Sequence, residues 1–359
     1  MDRLHVKGAP NYYQCYEGVL HDLFPLLKQH KFHHALIIHG DTSWIKVQNY
    51  FKNPSIKCQF IQYKGQCTHE EVDRIVEEVQ GLDIDVIVGI GGGKVVDLAK
   101  ACGAKANLPV SLVPTLASNC APWTPLSVFY DQSGNFLEYI IFPDSTYMVL
   151  LDPQVVLDSP LPYLRAGIGD TIAKWYEADV LTRSLSQKPV SLDIALHAAR
   201  LCRDILIDEG EKAIEAIETQ HLNHSFNRVI ETIIMAGGMV GGYGDHYGRV
   251  SGAHSIHNGL THIEETHQHL HGNKVAYGIF VQLCLEDRLD EIKELLPFYR
   301  KMQLPAQLKE LGIDHVTEEI VTTIAEGATK PNESIHFMNV SDPKQVKDAI
   351  YQLEDFMQY

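Results

Sequence analysis

Six histidines, His254, His257, His262, His267, His269 and His271, fall within 18 residues of a chain that carries 19 in its 359. Imidazole is the commonest transition-metal ligand and the side chain that titrates near neutrality, so this cluster is where chemistry is sought first. His254 and His257 are three apart and share one helical face, so one can bind a metal while the other relays a proton. Asp170 lies on a separate helical segment and adds a carboxylate. Asp170, His254 and His271 together suit Zn²⁺ or Fe²⁺ and leave a coordination position open for a substrate. Spacing alone leaves the choice of ligands open, and His262, His267 and His269 read as solvated surface or helix ends.

A second chemical signal is GIGGGKVVDLAK, Gly89 to Lys100, which follows the apolar run DVIV and opens a helix. The glycines Gly91, Gly92 and Gly93 let a backbone approach a pyrophosphate, and the open N–H groups of a helix N-terminus favour an anion. The spacing is not G-x-G-x-x-G, so a tight turn between strand and helix competes with the phosphate site. Asp41, in HGD at the end of an early strand, can accept from a ribose 2′-hydroxyl and repel a 2′-phosphate, which favours NAD over NADP. A plain Gly-Asp loop is the alternative.

These residues need elements to position them. His34 to His39, Lys57 to Tyr63, Asp85 to Ile90, Pro109 to Pro114 and Tyr147 to Asp152 are short runs that read as strands, the first four rich in Ile and Val. Thr68 and Glu71 predict a capping box that starts a helix with its apolar stripe on Val72, Ile75, Val76 and Val79. This alternation implies a mainly parallel sheet with helices on both faces. Leu126 to Phe142, around DQSGN, reads as a β-hairpin. From about Pro160 the pattern is helical, with Ile168, Ile172, Trp175, Tyr176 and Val180 on one face. MAGGMVGGYGD, Met235 to Asp245, predicts close packing around a buried site. The expected organisation is an α/β nucleotide-binding domain over 1–157 and an all-α metal-binding domain over 158–359, with a cleft between them.

Composition narrows the classes. The formal charge of −16 and pI near 5.6 argue against a nucleic-acid groove. No apolar run approaches the ~20 residues of a membrane helix, and the N-terminus lacks the apolar stretch of a secretory signal. Seven scattered cysteines without a C-x-x-C pair fit a reducing cytoplasm.

Taken together, GIGGGKVVDLAK, PTLAS (Pro114 to Ser118), AGIGDTIAKWYEA (Ala166 to Ala178), AHSIHNGLTH (Ala253 to His262) and HGNKVAYG (His271 to Gly278) resemble the glycerol dehydrogenase branch of the iron-containing alcohol dehydrogenases. The motifs occur in family order over most of the chain. The resemblance implies a dehydroquinate synthase-like fold, an NAD(P)-linked dehydrogenase, one divalent metal (zinc or iron) and a homo-oligomer. It places the metal on Asp170, His254 and His271, selecting His254 over His257. It places nucleotide contacts on Asp41, Gly93, Lys94, Val95, Val96, Asp97, Thr115, Leu116, Ala117, Ser118, Thr124, Leu126 and Tyr130.

Two positions depart from the branch. Its glycerol-acting members carry a polyol-contacting aspartate in a segment like PTIASTDAP, where this chain has PTLASNCAP with Cys120. Lys174 stands where they tend to have a small neutral residue. Both look more like the family's hydroxycarboxylate dehydrogenases. Lys174 is one helical turn after Asp170 on the same face, so losing an acid and gaining an ammonium would favour a carboxylate substrate. The expected reaction is hydride transfer between NAD(H), with NADP as the alternative, and a small secondary alcohol, a 2-hydroxy acid paired with its 2-oxo acid. His257 is the expected proton relay, with Cys120, Trp123 and Thr124 shaping the pocket. A polyol dehydrogenase is the nearest alternative; a dehydroquinate synthase-like lyase and a non-enzymatic metal-binding protein fit less of the sequence.

Overall fold

Residues 3–132, 134 and 136–358 are described by the computed structural model. The apolar runs become strands β1 (Tyr12–Cys15), β2 (His34–His39), β3 (Lys57–Gln62), β4 (Val86–Gly91), β5 (Val110–Pro114), β6 (Leu126–Tyr130), β7 (Phe136–Ile141) and β8 (Met148–Leu151). Six of them form one parallel sheet in the order β1-β8-β5-β4-β2-β3. Along β2, Leu36 and Ile38 pack on one face while Ala35 and Ile37 pack on the other. Burial on both faces is why the centre of HALIIH, Ala35 to Ile38, is continuously apolar. β1 was not expected, because YYQC is half-buried and carries no apolar run.

Helices α1 (Leu23–Gln29), α2 (Asp41–Val47), α3 (His69–Glu78), α4 (Gly93–Ala106) and α5 (Pro153–Leu157) accompany the sheet. At the start of α3, Thr68 Oγ1 accepts from the Glu71 N–H at 3.1 Å. The reciprocal half of the expected capping box is not made: the Glu71 carboxylate instead accepts from the Lys64 N–H and from Arg74. The expected hairpin forms from β6 and β7 with a register shift at Phe129/Tyr130. Ser133 and Asn135 of its turn lie outside the described residues.

One buried cation organises the segment before the hairpin. Lys100 on α4 is 4% exposed and pairs with Asp97 at 2.9 Å. Its ammonium donates to the carbonyls of Ala121, Thr124 and Leu126. A charge this deep persists only when paired and fully hydrogen-bonded, and here four oxygens surround it.

The later chain is helical: α6 (Leu161–Thr182), α7 (Val190–Thr219), α8 (His224–Glu231), α9 (Gly237–Gly244), α10 (Gly252–Leu260), α11 (His271–Leu285), α12 (Leu289–Met302), α13 (Glu318–Ala328) and α14 (Pro343–Phe356). Two compact units result. Residues 7–160 with 216–238 form the sheet unit; residues 3–6, 161–215 and 239–358 form the helical unit. Residues 216–238, from the last turn of α7 to the start of α9, thus belong to the sheet unit although the chain has already run through two long helices. There, a Cβ on Gly238 would come within 2.5 Å of the Trp123 side chain, the close packing that the glycine-rich run implied.

In the helical unit, backbones meet where the candidate ligands sit. A Cβ on Gly169 would be 2.6 Å from the Gly272 carbonyl oxygen, and one on Gly272 would be 1.8 Å from that of Ala166. A Cβ on Gly278 would be 2.3 Å from the carbonyl of Ala253. Thus α6 crosses α11 beside Asp170 and His271, and α10 crosses α11 beside His254. Gly272→Ala must push α6 from α11, an overpacking that costs about 1–3 kcal/mol or more. Urea unfolding should show a lower midpoint at unchanged slope; an unchanged midpoint would contradict the crossing.

Candidate metal and dinucleotide sites

Asp170 comes from α6, His254 from α10 and His271 from α11, and their ligand atoms lie within 4.8 Å of one another. Asp170 Oδ1 is 3.3 Å from His254 Nε2 and 3.2 Å from His271 Nε2. Yet this buried oxygen receives no hydrogen bond of good geometry from either ring. A buried acceptor without a donor, facing two imidazole nitrogens not aimed at it, is the pattern of three lone pairs converging on one point. The donor set therefore fits a divalent cation of the zinc or ferrous type.

Outer partners fix both rings. Glu177, on α6 and 2% exposed, accepts from His254 Nδ1 at 2.8 Å. Its other oxygen accepts from the N–H groups of Ser251 at 2.7 Å and His254 at 3.0 Å. With Nδ1 occupied, His254 presents Nε2 to the site, the usual carboxylate–histidine–metal relation. Burial opposes a charge on His254, but the Glu177 and Asp170 carboxylates together outweigh it and push the imidazole up to about 9. Burial likewise opposes ionisation of Asp170, yet the two imidazoles and Lys174 hold its carboxyl well below the usual carboxylate range.

His257 stands differently from its expected place. Its Nε2 lies 2.9 Å from His271 Nδ1 and its Nδ1 lies 3.0 Å from Asn258 Oδ1. Neither ring nitrogen is left for a substrate, and burial keeps the ring well below its ordinary pKa. His262 contacts Lys330, and His267 contacts the Thr261 carbonyl. Lys174 is in the same unit, 8% exposed, with its ammonium donating to the Arg249 carbonyl at 3.1 Å. Sequence reasoning missed Glu177. Its signal was present: Asp170, Lys174 and Glu177 put three charges on one face of the helix, away from its other charges, Arg165 and Asp179.

In the sheet unit, β4 ends at Gly91, Gly92 caps α4, and Gly93 and Lys94 open it with N–H groups that have no partner within the helix. A Cβ on Gly91 would crowd Val95 at 2.8 Å and one on Gly92 would crowd Leu116 at 2.8 Å, so neither position admits a side chain without rearrangement. The Asn119 side chain covers Gly93. The Lys94 ammonium lies 5.2 Å from the centre of the Tyr130 ring. Asp41 is exposed in the first turn of α2, just past β2. Thr115, Leu116, Ala117 and Ser118 follow β5; Cys120 and Thr124 sit in the segment held by Lys100, and Leu126 begins β6. The side chains of Val95, Val96, Asp97 and Ala117 turn into the core. Asp97 there serves Lys100 and the Val128 N–H, which leaves only backbone at these positions to meet a nucleotide.

Comparison with known proteins now decides the class. The sequence pattern of the iron-containing alcohol dehydrogenases matches residues 10–153. Hydroxycarboxylate dehydrogenase A of Escherichia coli is 38% identical over 356 residues, covering 98% of this chain and 97% of that one. The chain belongs to the iron-containing alcohol dehydrogenase family. Glycerol dehydrogenase of Citrobacter freundii is 37% identical, over 85% of this chain and 84% of its own. The crystal structure of a probable glycerol dehydrogenase from Sinorhizobium meliloti superposes with a TM-score of 0.90 at 29% identity, covering 99% of both chains. As a member of this family the protein is a dehydrogenase of the dehydroquinate synthase-like fold. No helix among its described residues is long and apolar enough to cross a membrane.

Glu177 is the support to test. Glu177→Gln keeps the shape but removes the charge that holds His254, and metal affinity should fall by about 10–100-fold. Competition with a chromophoric chelator measures this; affinity within twofold of the parent protein would contradict the assignment.

Proposed function

We propose that this dehydrogenase moves hydride between NAD(H) and a small 2-hydroxy acid, according to R–CH(OH)–COO⁻ + NAD⁺ ⇌ R–CO–COO⁻ + NADH + H⁺. The observation that carries the choice of substrate is Lys174. It places a buried ammonium one turn from Asp170, within the helical unit that holds the ligand set. Cys120 supports the same choice, because a thiol stands where glycerol-acting members of the family carry an acid.

Asp170, His254 and His271 would hold the divalent ion. Bound there, the ion would polarise the reacting oxygen and lower the pKa of the alcohol. Lys174 binds the substrate carboxylate and so fixes which carbon faces the nicotinamide. Glu177 keeps His254 in its ligating orientation. His257, expected as a proton relay, has both nitrogens engaged, and no proton transfer is assigned to it. On the nucleotide side, Gly91 to Lys94 receive the pyrophosphate at the N-terminus of α4. Asp41 accepts from the ribose 2′-hydroxyl, and its charge opposes the 2′-phosphate of NADP.

Oxidation of NADH and NADPH with 2-oxobutyrate, 2-oxoglutarate and dihydroxyacetone tests substrate and cofactor together. An oxo acid should be turned over best, with NADH preferred. Faster turnover of dihydroxyacetone would make the protein a polyol dehydrogenase, and preference for NADPH would remove the role given to Asp41. Lys174→Ala should cut kcat/KM for the oxo acid by about 30-fold or more, the effect of losing about 2 kcal/mol from a buried charge pair, while sparing neutral ketones. Equal losses on both would leave Lys174 a structural residue.

A further inference from the structure

The second ligand histidine is oriented from further away than the first. His254 Nδ1 meets a carboxylate directly, whereas His271 Nδ1 meets His257, an imidazole whose two nitrogens can exchange roles as donor and acceptor. What settles those roles lies three links off. Asn258 Nδ2 donates to both oxygens of Glu333, at 3.1 and 3.0 Å. A carboxylate only accepts, so it fixes which end of the Asn258 amide faces it. The amide oxygen is thereby turned to His257 Nδ1, at 3.0 Å, and that nitrogen must carry the proton. His257 Nε2 is left as an acceptor and receives His271 Nδ1–H at 2.9 Å, so His271 Nε2, 3.2 Å from Asp170 Oδ1, is the nitrogen that keeps its lone pair. The chain beside Glu333 is itself held, because Ser255 Oγ accepts from the Ile335 N–H at 3.0 Å.

We propose that Glu333 is a positioning residue for the metal centre, acting through Asn258 and His257 to make His271 a ligand through Nε2. This inference rests on the metal centre proposed above. Its role is orientation, so it concerns metal affinity and leaves the fold of the metal-free protein unchanged. Glu333→Gln keeps the size of the side chain but adds a donor, which lets the Asn258 amide turn over and frees His257 to adopt either arrangement. Asn258→Leu breaks the chain in its middle.

The experiment is zinc binding by the full-length parent protein and both variants, read by competition with a chromophoric chelator, beside thermal unfolding of the metal-free forms. Each variant should bind zinc about 10-fold or more weakly, the range for lost outer partners of a ligand. Metal-free melting temperatures should stay within about 2 °C of the parent. Zinc affinity within twofold of the parent for Glu333→Gln overturns the proposal. So does a loss of affinity accompanied by a comparable loss of metal-free stability, since that is a packing role. Should Asn258→Leu not fold, Glu333→Gln decides alone. Parent protein that binds no zinc or ferrous ion overturns the metal centre itself, an outcome distinct from failure of the relay.

Discussion

The proposed metal centre depends on how closely helix backbones can approach. Asp170 follows Gly169, His271 precedes Gly272, and His254 follows Ala253, so each ligand is the immediate neighbour of a residue at a backbone crossing. Side chains as short as Asp cannot bridge helices spaced by ordinary packing, where axes lie about 8–10 Å apart. Glycine at the crossings brings three helices close enough for three short reaches to meet. Neighbouring turns then deliver the supports: Glu177 lies two turns along α6 from Asp170, and His257 one turn along α10 from His254.

The two proposed ligand histidines are supported in unlike ways. His254 is backed by a buried carboxylate that also accepts two backbone N–H groups, so ring, helix start and charge are fixed together. His271 is backed by a neutral ring and has a side chain 47% exposed. One side of the centre is therefore rigid and charged, the other neutral and open to solvent. Such a division suits a site whose remaining coordination position must admit and release a small molecule.

Much of this architecture is legible in the amino-acid sequence. The parallel sheet can be read because strands buried on both faces must be continuously apolar, as ALII within β2 is. The ligand set can be narrowed because histidines are dense there, and the family resemblance selects among them. Other features are hidden for physical reasons. β1 is half-buried and polar enough to read as loop. Residues 216–238 return to the sheet unit, and nothing in a helical periodicity says which core a helix will join. Glu177 and Glu333 look like ordinary surface acids until the fold sets them against His254 and Asn258. Asp97 shows the opposite case: its place in a glycine-rich motif suggests a nucleotide contact, while its carboxylate is spent on Lys100.

Lys100 has a consequence for motion. Its ammonium ties the first turns of α4 to the carbonyls of Ala121, Thr124 and Leu126, and through Asp97 to β6. No joint is left between the glycine turn and the segment carrying Cys120 and Thr124, because a hinge there would strand a charge without its oxygens. The two stretches must order and loosen as one body. A ligand that stills the turn therefore also stills the loop, and the entropy of doing so is lost once, not twice.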